Sequence, residues 1–294
     1  MADTTPQDAV TLHTRGKIAI VTLNQPKKLN SMGMDLYYRL ATTLNDIAQR
    51  DDILVTVLTG KGRFFSAGAD VSLTRDLPPE TDVRRHWLST FVANNLHLTR
   101  AFYTHPKILV TALNGPAVGL SAALIAFSDF IYAAPHAYLL TPFSSLGLVA
   151  EGGSSRAFVQ RLGVAKANEA LLMSKRITVD EMLAAGFVNA VVDVGAEAGG
   201  AAGGAAGGAA GEGGVKYDSD KFLARVIGIV EDRLGPHLNA DSLLGIKQLV
   251  RAPEREFLDR ANVDEVFAGL ERFARGVPQE EFARLRSGEK RHKL

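Results

Sequence analysis

Apolar and polar positions alternate over residues 10–13 and again over 17–23, with Thr14, Arg15 and Gly16 between, which predicts a β-hairpin. Residues 35–49 place Leu36, Leu40, Leu44 and Ile47 at helical spacing. Residues 53–58 form a β-branched apolar run that stops at Gly60, the pattern of a buried strand. A helix over 81–103, a second buried strand over 108–113, a helix over 120–127 and a strand over 130–133 follow. Strands that alternate with helices and are apolar on both sides predict an α/β fold with parallel strands covered on both faces. At 195–214 the pattern stops: Gly-Ala-Glu-Ala and then repeated Gly-Gly-Ala-Ala offer nothing to bury, so a flexible surface linker is expected. Helices resume at 220–233, 242–250 and 254–275. The expected organisation is a core domain over 1–194, the linker over 195–214, a helical C-terminal region over 215–287 and a basic tail over 288–294.

Composition narrows the chemistry. The chain has 294 residues, 46% hydrophobic and 22% charged, as a soluble globular protein does. A formal net charge of +1 gives no global attraction for nucleic acid. The basic residues Arg284, Arg286, Lys290, Arg291 and Lys293 suit a solvated tail better than an RNA site. With no cysteine there is no disulfide, thiolate metal site or cysteine nucleophile. The seven histidines are scattered, so no catalytic metal is expected. No stretch reaches the length of a membrane span; the nearest candidate, 125–134, is interrupted by Asp129.

Three segments can carry chemistry. Ser66-Ala67-Gly68-Ala69-Asp70 follows a buried strand, and its small residues let a ligand approach the backbone. Asn114-Gly115-Pro116-Ala117-Val118-Gly119-Leu120 follows the next, and puts the Leu120 N–H at a helix start, where unpaired donors favour negative charge. Glu151 lies between Gly147-Leu148-Val149-Ala150 and Gly152-Gly153-Ser154-Ser155. Burial in such apolar surroundings disfavours the charged form, and a carboxyl tuned that way exchanges protons near neutral pH. The plainer role for Glu151 is a helix N-terminal carboxylate.

The two glycine-containing segments, in this order at strand ends, resemble the crotonase (enoyl-CoA hydratase/isomerase) superfamily from about residue 10 to 194. The resemblance implies a spiral of ββα units, a C-terminal helical region that assembles a homotrimer or a dimer of trimers, and an acyl-CoA thioester substrate. It also implies that the N–H groups of Ala67 and Leu120 form an oxyanion hole, with CoA bound near Lys28, Leu29 and Ser66 to Asp70. The superfamily's hydratases carry two glutamates, and the matching positions here are Ala123 and Phe143, so water addition is not expected. Residues 146–153 with Glu151, and 114–124, instead resemble the peroxisomal delta(3),delta(2)-enoyl-CoA isomerases, the fungal form most of all.

That resemblance implies that Glu151 moves a proton from C2 to C4 of a 3-cis- or 3-trans-enoyl-CoA, giving the 2-trans product, with no cofactor beyond the CoA of the substrate. Asn95 is a candidate to orient Glu151, and Phe91, Leu96, Phe143 and Leu148 are candidate acyl-tail contacts. The terminal His292-Lys293-Leu294 has the form of a peroxisomal address, implying an import receptor as partner and the peroxisomal matrix as location. A dienoyl-CoA isomerase is the alternative, with weak hydration or a non-catalytic acyl-CoA-binding role behind it.

Overall fold

The computed structural model describes residues 6–73, 77–195 and 217–291. All but the first residue of the glycine/alanine segment, and His292-Lys293-Leu294, lie outside the described residues.

Nine strands form two sheets: β1 (Val10–Arg15), β2 (Ile18–Leu23), β3 (Val55–Gly60), β4 (Ile108–Leu113), β5 (Ala117–Val118), β6 (Phe130–Ala133), β7 (Tyr138–Leu140), β8 (Ile177–Thr178) and β9 (Ala190–Val191), among the described residues. The larger sheet runs β1-β2-β3-β4-β6-β9, parallel except for the β1–β2 hairpin. The smaller runs β5-β7-β8. The hairpin is tighter than its sequence pattern predicts. Arg15 pairs with Ile18, so Thr14 and Arg15 belong to the strand and the turn is Gly16-Lys17, with Gly16 at φ 54°.

Strands β3 and β4 are buried along their whole length, as their unbroken apolar character requires. Alternate residues serve opposite faces. Leu58, Leu109 and Leu113 pack with Leu40, Leu44 and Ile47 of the helix Met34–Ala48. Val55, Val57, Ile108 and Val110 pack with Phe222, Val226 and Val230 of the helix Ser219–Arg233. The helical C-terminal region thus supplies one whole layer over the sheet.

Two helices near the site differ in detail from their sequence patterns. The 81–103 helix is an α-helix (Val83–Trp87), a π-helical turn (Leu88–Val92) and an α-helix (Ala93–Tyr103) in succession. Such π insertions cluster at functional sites because they re-aim side chains. The long helix Ser154–Leu171 begins where the helix-terminal alternative for Glu151 requires one, but no apolar stripe marks its course, because its buried positions are mostly small (Ser154, Ala157, Ala167, Ala170) and Gly163, at φ 74°, ψ 159°, interrupts it.

Candidate active site

The segment after β3 and the segment after β4 are clamped together by buried asparagines. Asn114, fully buried, accepts from the Gly60 N–H (3.0 Å) and donates to the carbonyls of Gly62 (2.7 Å) and Phe64 (3.1 Å). Asn30 donates to the Lys61 and Phe64 carbonyls (3.0 and 2.9 Å). Ser66 forms an isolated bridge with Ala117, and its hydroxyl donates to the Asn30 carbonyl while accepting from the Gly68 N–H and the Ser121 hydroxyl. Gly68 sits at φ 81°, and a Cβ there would lie 2.6 Å from the Val118 carbonyl oxygen. Only glycine allows the two segments this close.

These contacts decide which amides remain for a ligand, and they correct one sequence assignment. The Ala67 N–H donates to the Leu29 carbonyl at 2.9 Å and is therefore committed to the fold. Met32 forms a parallel bridge with Ala69, in which the Met32 N–H bonds the Gly68 carbonyl and the Asp70 N–H bonds the Met32 carbonyl. In a parallel ladder the bridged residue's own N–H points away from that partner, so the Ala69 N–H is turned to the opposite side. Leu120 is the first residue of its helix, where the N–H has no intrahelical acceptor. Neither the Ala69 nor the Leu120 amide has a backbone or side-chain acceptor among the described residues, and both residues line one cavity.

That cavity, about 430 Å³, is mostly apolar. Glu151, only 8% exposed, lies in its wall, and its neighbour Gly152 rests against the Leu120 side chain. Among the described residues, Asp70 is the other carboxylate on the wall, and its Oδ1 accepts from the Ser72 N–H and hydroxyl. Asn95 is buried on the same wall, with its Oδ1 unpartnered among the described residues. Phe91, Phe143 and Leu148 line the cavity; Leu96 packs into the cluster behind it. Ala123 is fully buried, 3.0 Å from where a Gly152 Cβ would lie. Lys28, exposed, and Leu29 and Ser66 lie off the cavity wall.

The far end of the cavity is closed by residues from beyond the glycine/alanine segment: Phe273 on the helix Arg255–Ala274, and Phe282 and Leu285 on the helix Val277–Arg286. Phe273 stacks on Trp87 (ring centroids 4.5 Å) and leans on Phe91 (4.6 Å), so the π-helical turn and the long C-terminal helix build this wall together. Glu265 of the same helix was not anticipated from the sequence. Its carboxylate accepts from the Gly153 N–H (2.6 Å) and the Ser155 N–H (2.8 Å), just past Glu151. The acid that caps the helix Ser154–Leu171 is therefore Glu265, the role that the sequence alone also allows for Glu151. Partners 110 and 112 positions apart leave no local signature.

Comparison with known proteins agrees with this construction. The profile of the enoyl-CoA hydratase/isomerase family matches residues 13–197. The chain is 55% identical, over 97% of its length and 98% of the relative's, to the Delta(3,5)-Delta(2,4)-dienoyl-CoA isomerase of Pyricularia oryzae. It is 30% identical to the 3,2-trans-enoyl-CoA isomerase of Saccharomyces cerevisiae, over 98% of this chain and 97% of that one. A mouse relative named Enoyl-CoA delta isomerase 3, peroxisomal, is 29% identical over 91% of this chain and 73% of its own. The fold superposes on a solved enoyl-CoA hydratase/isomerase from Pseudoalteromonas atlantica with a TM-score of 0.75 at 23% identity, covering 97% of this chain and 100% of that one. The chain belongs to the enoyl-CoA hydratase/isomerase family, as one of its isomerases.

Proposed function

We propose that the protein moves a carbon–carbon double bond of an acyl-CoA thioester towards the thioester, by taking a proton from C2 and returning one farther along the chain. The observation that carries this reading is a buried glutamate sharing one apolar cavity with two amides that have no acceptor among the described residues, those of Ala69 and Leu120. The thioester oxygen sits between the two amides. Removal of the C2 proton of a 3-enoyl-CoA gives a dienolate whose charge rests largely on that oxygen. Each preorganised donor is worth about 2.7–4 kcal/mol to such a state in comparable sites. Glu151 takes the C2 proton and delivers it to C4, within reach of one carboxylate, giving the 2-trans-enoyl-CoA. Phe143, and Ala123 beneath Gly152, keep water-activating groups out of the positions from which hydration would start. CoA belongs to the substrate, and the scheme draws on no other cofactor.

A second reading, conversion of a 3,5-dienoyl to a 2,4-dienoyl thioester, is favoured by the full-length relative of that name. There the proton must reach C6, which calls for a second donor or a shift of the substrate past Glu151. Purified protein given 3-cis-enoyl-CoA, a 3,5-dienoyl-CoA and 2-trans-enoyl-CoA separates the readings. Isomerisation of the first with little hydration of the third is expected. Faster turnover of the dienoyl ester moves the assignment to the second reading, and inertness towards both substrates overturns each.

The acyl tail points to the wall made by Phe91, Phe273 and Leu285. Gly269 limits how far Phe91 intrudes, because a Cβ there would lie 2.7 Å from two atoms of the Phe91 ring. Gly269→Ala suits the helix, since alanine is the better helix former, but it drives the ring towards the cavity that it lines. We expect kcat/KM for long-chain thioesters to fall by about ten-fold, in line with what small changes of pocket volume cost, with short-chain substrates little affected. Equal losses across chain lengths would place the tail elsewhere.

We further assign the protein to the peroxisomal matrix, on the terminal His292-Lys293-Leu294 and the mouse relative's name. Unchanged peroxisomal import after removal of Lys293 and Leu294 would overturn that. The exposed apolar residues Ile246, Leu249, Val250, Phe257 and Phe267 suit contact between copies in a homotrimer or a dimer of trimers, which sedimentation tests.

A further inference from the structure

We propose that Glu265 is a positioning residue for Glu151, fixing the turn that carries it through two carboxylate–amide hydrogen bonds. The proposal rests on the reading of Glu151 as the proton-transfer group.

Glu151 is followed by Gly152 at φ 68° and Gly153 at φ 71°, both left-handed. Only these two glycines separate Glu151 from the helix Ser154–Leu171. Glycine has the widest conformational freedom of any residue, so the hydrogen bond from the Ser154 N–H to the Glu151 carbonyl, a long one at 3.2 Å, spans a turn that could otherwise bend freely. Gly153 is also the N-cap of that helix. An N-cap normally carries a Ser, Thr, Asp or Asn whose side chain takes the orphan first-turn donors. Here that solution is barred: the backbone is left-handed, and a Cβ would lie 2.7 Å from the Phe127 ring. The cap must come from elsewhere in the fold.

Glu265 supplies it. Its two oxygens are divided, Oε2 accepting from the Gly153 N–H at 2.6 Å and Oε1 from the Ser155 N–H at 2.8 Å, so the carboxylate spans the junction of turn and helix. The side chain is buried, at 6% exposure. Burial pushes its carboxyl above the usual range, against the pull of those hydrogen bonds. A charge in such a place is costly unless it is well bonded. The same helix carries Gly269 and Phe273, one and two helical turns farther on, both engaged at the acyl end of the cavity. One helical element thus touches both ends of the site, and Glu265 is the point at which it holds the acid.

Proton transfer requires near-attack geometry, and a misplacement of about 1 Å costs on the order of 10²-fold. Glu265→Gln is nearly isosteric but offers one acceptor oxygen, while its amide group meets the second N–H donor to donor. We expect kcat to fall about 10- to 100-fold with KM changed less than about 3-fold. Hydrogen exchange should quicken in the peptide spanning 152–155. Glu265→Asp, which keeps both acceptors on a shorter arm, should recover part of kcat. In a Glu151→Gln background, Glu265→Gln should lower the residual rate no further, since no acid remains to be positioned. Unchanged kcat in Glu265→Gln despite faster exchange would reduce Glu265 to a helix cap and overturn the proposal, as would a further loss in the double variant. If the wild-type protein turns over none of the thioesters, the reaction assigned to Glu151 falls. Faster exchange still upholds the clamp in that case, and unchanged exchange overturns it.

Discussion

Replacing Glu151 with glutamine is expected to lower isomerase turnover by about 10²- to 10⁴-fold, the range that a positioned acid–base group contributes. Glutamine has the same shape and no proton to exchange near neutral pH. Glutamine fills the same space in the buried cavity wall, so the variant should fold like the parent. KM for the thioester should stay nearly constant, since the Ala69 and Leu120 amides, the proposed carbonyl contacts, are untouched. Steady-state kinetics together with a thermal melt check this. Wild-type turnover in Glu151→Gln would remove the glutamate from the mechanism whatever substrate is used.

The second large effect is expected at Leu120, where the donor is a backbone amide. Leu120 opens its helix, and proline is tolerated at that position because its missing N–H has no helical partner to lose. Gly119 before it, at φ 62°, ψ −132°, is already in an extended glycine conformation away from the region that proline excludes. Leu120→Pro therefore deletes one hydrogen-bond donor from the cavity while keeping the helix. It also removes the side chain that supports Gly152, so Leu120→Ala is the proper reference. Relative to Leu120→Ala, kcat should drop by about 10²- to 10³-fold, as for removal of one oxyanion donor elsewhere. Equal rates in the two variants would mean that the thioester oxygen lies away from the Leu120 amide.

How much of this was legible in the sequence depended on how local each signal is. The buried strands β3 and β4 could be read because an unbroken apolar run is a property of consecutive residues. The two loops after them were legible too, since chains pressed together need small residues in a row. Which amide of the first loop faces the cavity was not. Ala67 and Ala69 look equivalent in sequence, and the choice between them follows from the bridge of Ala69 to Met32 and the hydrogen bond from Ala67 to Leu29. Asn114 was visible as part of a turn, but not as the clamp between two loops, because its acceptors at Gly62 and Phe64 lie on the preceding strand connection. Strands β5, β8 and β9 have two residues each, too few for any periodicity. Glu265 was invisible for the same reason that it is interesting: nothing in its own helix announces an acid that serves another helix's first turn.

The placement of the helix Arg255–Ala274 has a consequence for timing during synthesis. A ribosome delivers the chain from its N-terminus, and the loops bearing Ala69, Leu120 and Glu151 emerge long before Glu265 and Phe273. Until those late residues dock, the apolar wall is incomplete and the glycine turn after Glu151 lacks its two hydrogen bonds to Glu265. Nascent chains that already contain the acid and both amides therefore lack a finished cavity until the helix Arg255–Ala274 has emerged and docked.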